Sequence, residues 1–141
     1  MTIPKICPSI IIRYASVALF LWFGVAQLTD PVMWSGFLPE WTSYFPMSGA
    51  TLVQLNGLFE IVLAFALGVG VFTRVVAALL GVHLLSIAIT VGGAIGVRDA
   101  VLAVMTTSLA FAAPDCLTLD AKNRVAPASS CCGKSCTMPK A

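Results

Sequence analysis

Charge is what this chain has least of. Its 141 residues include 8 Lys or Arg and 6 Asp or Glu, 10% of the chain, against 59% hydrophobic residues. An ordinary soluble domain is about 25% charged. A globule of this length needs polar side chains to cover its surface, so the shortage excludes a soluble enzyme. It excludes a disordered chain as well, since disorder goes with low hydrophobicity and high charge. The formal net charge of +2 is too small for a nucleic-acid binder, which carries a basic face. Histidine is scarcer still. The single residue, His83, has no second histidine to form a zinc-type site with. No Gly-rich phosphate loop of the GxxxxGK[ST] type occurs. No haem, flavin or iron–sulfur motif occurs either, so any redox cofactor would come from a partner protein or be quinone itself.

What the chain has in place of charge is long apolar runs, and its mean hydropathy is +0.97. A membrane-spanning helix needs about 20 mostly apolar residues. Four runs approach this, at 10–28, 52–72, 75–91 and 98–113. They lack the alternation of membrane β-strands. The first run also reads as a signal peptide, with Lys5 and Arg13 ahead of it and small residues around Gly24. The expected architecture is all-α: an integral membrane, antiparallel four-helix bundle over 10–119. A short flank (1–9) precedes it and a flexible tail (120–141) follows. Lys5, Arg13, Arg74, Lys122, Arg124, Lys134 and Lys140 fall on one side of such a bundle, and Arg98 alone falls on the other. By the positive-inside rule both termini are cytoplasmic.

The loop 30–50 carries Trp34, Phe37, Trp41, Tyr44 and Phe45 among three prolines. Aromatic residues gather at the membrane interface, so the loop serves either as an anchor on the bilayer surface or as a lid over the mouth of the bundle.

Ionisable groups inside membrane helices are costly, and they face a bundle interior or a cavity. Glu60 is the clearest instance, and Asn56 stands one turn away on the same face. At 1.5 Å per residue Glu60 is about 21 Å from Arg74, and His83 is about 13–14 Å from it. That roughly 7 Å difference in depth, by the same rise, does not favour a Glu60–His83 contact and leaves Arg98 an equal partner for Glu60. Gly24 and Gln27 are further interior candidates on the first run. Glu60 can carry protons, hydrogen-bond a quinone carbonyl, or simply tie two helices together.

Three of the five cysteines, Cys131, Cys132 and Cys136, cluster near the C-terminus. In a cytoplasmic tail such thiols do not form stable disulfides. They suit a soft metal such as copper or mercury, or a redox relay. Cys116 suits lipidation. The spacing is not a paired CxxC zinc pattern.

Taken in order, these residues resemble a known family. Arg13 opens the first run, followed by Phe23-Gly24. The second carries Gly57-Leu58-Phe59-Glu60 and then Gly68-Val69-Gly70-Val71-Phe72-Thr73-Arg74. The fourth opens with Arg98-Asp99-Ala100. The segment from Ala113 to Asp120 closes the pattern, with Pro114-Asp115-Cys116 where a glycine-rich version is usual. The chain is identified by these motifs as a member of the DoxX family of small four-helix membrane proteins. The resemblance implies the bundle fold. It also implies recurring polar positions at Arg13, Glu60, Arg74, Asp99 and Asp120, and a link to membrane redox systems such as thiosulfate:quinone oxidoreductase. The functional expectation is a membrane subunit acting on sulfur or thiol compounds with quinone, beside a redox partner or further copies of itself. Glu60, His83, Arg98 and Asp99 would do the chemistry, and Asn56, Glu60 and Arg98 would hold the quinone. Soft-metal handling by Cys131, Cys132 and Cys136 is the alternative, and a non-catalytic scaffold is a third reading.

Overall fold

The computed structural model describes residues 8–112 and 118–119. The 120–141 tail, with its cysteines and Asp120, lies outside them, as do Lys5, Cys7 and Cys116. Among these residues five α-helices occur in the order α1 (Pro8–Thr29), α2 (Pro31–Ser35), α3 (Gly49–Val69), α4 (Thr73–Val91) and α5 (Gly93–Phe111). A 3₁₀ turn, Glu40–Tyr44, lies between α2 and α3. The four long helices are each long and apolar enough to cross a bilayer.

The helix ends follow from local chemistry. The Asp30 side chain caps α2 by accepting from the Met33 N–H, and Pro31 fills a first-turn position that has no use for an N–H. Ser48 caps α3 by accepting from Thr51. Gly70 ends α3 in the left-handed region at φ 79°, which glycine adopts without steric cost.

Burial repeats at helical spacing. On α1 it falls on Arg13, Ser16, Phe20, Gly24 and Gln27. On α3 it falls on Val53, Gly57, Glu60, Ala64 and Leu67. Successive steps of three and four residues put each set on one stripe facing the bundle. The opposite faces are apolar and open: Trp22, Ile89, Val104 and Phe111 are all highly exposed. Hydrocarbon solvates such a surface at no cost, whereas water does not.

The helices associate chiefly as two pairs, α1 with α3 and α4 with α5. Glycine notches permit both. A Cβ at Gly24 would fall 2.8 Å from the Gly57 carbonyl oxygen, and one at Gly57 would fall 2.8 Å from the Gly24 oxygen. In the other pair, Gly96 lies against the Ala88 carbonyl and Gly81 against Thr107. Small residues let helix backbones approach where no hydrophobic effect drives them together.

Two expectations change. The fourth long helix begins at Gly93 rather than at 98, because Gly92 serves as the cap of both α4 and α5. Asp99 is therefore nearly two turns inside the helix, and it is buried. Arg13 is likewise buried within α1. Glu60 is thus not alone among charged residues inside the spans.

Gly57→Ala should lower stability by about 1–3 kcal/mol, because its methyl meets backbone that can only move by parting the helices. Gly68→Ala, whose Cβ would meet Val17 at an ordinary 3.6 Å, should be neutral or stabilising. Thermal unfolding of both variants in nanodiscs checks the contrast.

Candidate functional site

Glu60 sits on α3 at 2% exposure, and three side chains converge on its carboxyl group. Asn56, one turn earlier on the same helix, donates from Nδ2 to Oε1 at 3.0 Å. Gln27 donates from Nε2 to Oε2 at 3.3 Å. His83 Nε2 lies 3.1 Å from Oε1. The two amides are themselves joined, Asn56 Nδ2 donating to Gln27 Oε1 at 2.9 Å. Whether His83 Nε2 donates to Glu60 Oε1 or accepts from it depends on the tautomer, and the two amide donations to the carboxyl group are compatible with both. The His83 side chain is 18% exposed, and Phe59 meets its ring edge-on at 5.4 Å.

The Glu60–His83 contact corrects the depth estimate made from the sequence. That estimate counted residues 70–72 as helical rise, but they form the turn between α3 and α4. Counted from the helix ends, Glu60 is about 14 Å before Val69 and His83 about 15 Å after Thr73 at 1.5 Å per residue. The two lie level. Arg98 is not the partner of Glu60: its Nε donates to Asp99 Oδ1 at 2.9 Å, and its guanidinium lies over the Phe23 ring at 5.8 Å.

Arg98, Asp99, Asn56, Gln27 and Glu60 all line one cavity of about 380 Å³. His83 contacts Glu60 from outside that lining. The cavity is bounded by all four long helices and by the α1–α3 connection. Its floor includes Phe20 and Leu84, which belong to the hydrophobic core. Phe23, Trp34 and Phe37 supply aromatic walls, with Trp34 edge-on to Phe23 at 5.6 Å and 5.9 Å from Phe37. Arg98 is half exposed, while Asp99 is buried.

Of the two expectations for the aromatic loop, anchor or lid, the geometry bears on the lid. Met33, Trp34, Phe37, Leu38 and Pro39 line the cavity, and of these Met33 and Phe37 are also largely exposed, as Trp41, Tyr44 and Phe45 are. The sequence reading named Gln27 as interior but did not join it to Glu60. The usable signal was Gly24 three residues earlier, facing a glycine on the Glu60 helix. Cys131, Cys132 and Cys136 lie outside the described residues. Among the described residues no cluster of three or more His, Cys, Asp or Glu could hold a metal ion.

The arrangement is an apolar and aromatic chamber with polar groups at a few points, which is the usual composition of a small-molecule site. Amide donors and a carboxyl acceptor stand together at one wall, with the His83 imidazole behind the carboxyl group.

A double-mutant cycle on Gln27→Leu and Asn56→Leu, read as unfolding free energy in nanodiscs, should give a coupling of about 0.5–1.5 kcal/mol. Strict additivity would mean that the two amides do not act together on Glu60.

Compared with known proteins, the chain matches the family model described as DoxX over residues 9–93, more than half its length. No curated protein and no solved structure matches it. The matched stretch takes in α1 to α4 and every member of the Glu60 cluster, and Arg98 and Asp99 lie beyond it.

Proposed function

The chain belongs to the DoxX family, and from that premise we propose that it is a subunit of a membrane redox system that works on sulfur or thiol compounds and exchanges electrons with quinone. The family resemblance supports the sulfur side of this reading. The quinone side rests on one observation: the Glu60 cluster forms part of the wall of an aromatic chamber within the bundle. In this reading the bundle is antiparallel, with both termini in the cytoplasm of an inner-membrane protein, as the Lys and Arg distribution predicts.

The residues present fit a quinone head group. Phe20, Phe23, Trp34 and Phe37 offer ring faces and edges. Gln27 Nε2 carries a second N–H beside the one given to Glu60, and it suits a carbonyl oxygen. The Glu60 carboxyl suits a hydroxyl, and the contact with His83 lets Glu60 pass on or receive a proton without losing its amide partners. Arg98 at the cavity wall suits the second oxygen of such a ring or an anionic group. A bound quinone supplies two-electron, two-proton redox capacity. The chain supplies position and proton handling, and a partner protein delivers the electrons taken from the sulfur compound.

Trp34 in the wall makes binding measurable. Titrating a short-tailed quinone into the protein in nanodiscs should quench tryptophan fluorescence with saturation, and Trp34→Phe should remove most of that change. Glu60→Gln should weaken binding about tenfold, the equivalent of roughly 1.4 kcal/mol. Absence of saturable quenching, together with no thiosulfate-dependent quinone reduction in native membranes, would overturn the reading.

A further inference from the structure

The buried polar side chains of this bundle lie in two tiers with an apolar layer between them. The first tier is Glu60, His83, Gln27 and Asn56, with Asp99 and Arg98 lining the same cavity. The second is Ser16 with Thr106, whose hydroxyls lie 3.4 Å apart, followed by the buried Arg13, Thr73 and Thr118. Arg13 and Thr118 meet at Gly70, the end of α3, where a Cβ would fall 2.9 Å from Arg13 Nη1 and 2.7 Å from the Thr118 Cβ.

Between the tiers each long helix contributes a closed apolar residue. Phe20 comes from α1, Ala64 and Leu67 from α3, Leu80 from α4 and Ala103 from α5. None of them is more than 3% exposed. Phe20 stands one turn from Ser16 and two turns from Gln27, so it spans the gap on its helix. Thr107 lies beside this layer, against Gly81 on the α4–α5 seam. Among the described residues no ionisable side chain lies between the tiers.

The cavity lies against the first tier, on the side of the α1–α3 connection. Its floor is Phe20 and Leu84 of the apolar layer. A proton cannot cross such a layer without polar groups or water to carry it. We propose that the Glu60–His83 pair exchanges protons, through the cavity, with the membrane face that bears the α1–α3 connection and not with the opposite face. The proton that leaves the pair passes to water or a ligand in the cavity and is replaced from there. The charged and polar groups that face the pair are Gln27 from α1, Asn56 from α3, and Asp99 and Arg98 across the cavity from α5. Arg13 is on the far side of the layer. The proposal rests on the Glu60–His83 geometry and needs no quinone.

His83 is the sole histidine, so a histidine-labelled sample gives one imidazole NMR signal. The whole protein is reconstituted in sealed vesicles with the internal pH clamped and the external pH stepped between about 5 and 8. In a parallel sample, external chymotrypsin cuts the exposed α1–α3 connection at Trp41 or Tyr44. Mass spectrometry of the fragments then gives the fraction of molecules with that face outward. The fraction of His83 signal that follows the external pH should equal the cleaved fraction. A response from all molecules, a response from the uncleaved fraction, or no response to either side overturns the proposal. The sample contains no quinone and no sulfur compound, so failure here and failure of the quinone reading are distinguishable.

Discussion

The half of this bundle nearer the α1–α3 connection depends on one constraint. A carboxyl group placed among membrane helices has to find its hydrogen-bond partners within the protein, because hydrocarbon supplies none. Glu60 meets this with one partner from each of three helices, and each partner demands something of the fold. Asn56 is available because the residue four positions earlier in a helix shares its face. Gln27 reaches Glu60 because Gly24 and Gly57 let α1 and α3 approach until their backbones nearly touch. His83 reaches it because the turn at residues 70–72 is short enough to set α3 and α4 level. The glycine notch and the tight turn, which look like packing details, are therefore conditions for the polar cluster.

The same economy explains where the cavity lies. α1 is fastened to α3 and α4 to α5, and the contacts between the two pairs are fewer. Tight packing inside each pair uses the small residues, and the larger side chains are left to meet across the seam. At the level of Leu67, Ala77 and Leu80 they fill it completely. One level outward the side chains are Gln27, Asn56, Glu60 and Asp99, which cannot interdigitate as an apolar core does, and the seam opens. The polar cluster and the cavity are two aspects of one change in side-chain type along the helices. Trp34, Phe37 and their neighbours line what the helices leave open.

The long apolar runs, their number and the interior position of Glu60 were legible in the sequence, because each is a one-dimensional pattern. Composition and charge spacing suffice for them. The pairing of Glu60 with His83 was not legible. Its estimate hinged on how much axial length three turn residues consume, and that is a property of backbone conformation at Gly70 and Phe72. Asp99 was misjudged for a related reason. Gly92-Gly93 reads as a terminus, yet glycine with positive φ can end one helix and begin the next within two residues. The added turn of α5 carries Asp99 inward. Gln27 was visible as an interior residue but not as a partner of Glu60, since only the crossing point of two helices, set by Gly24 against Gly57, brings it there.

Part of the aromatic loop borders the cavity, and there is a physical reason for its place. A segment tied at both ends to helices that cross the bilayer must lie at the interface, where aromatic rings are at home on either side of it. The helical turn Pro31–Ser35 and the residues up to Pro39 place Met33, Trp34, Phe37 and Leu38 along the cavity, Met33 and Phe37 with much of their surface still exposed. The 3₁₀ turn that follows presents Trp41 and Tyr44 outward. Displacing the first set would expose its rings further and uncover the polar groups beneath them at the same time. Displacing the outward set would cost only interfacial contact. Within the loop it is Trp34, bracketed by Phe23 and Phe37, whose ring packs at the cavity.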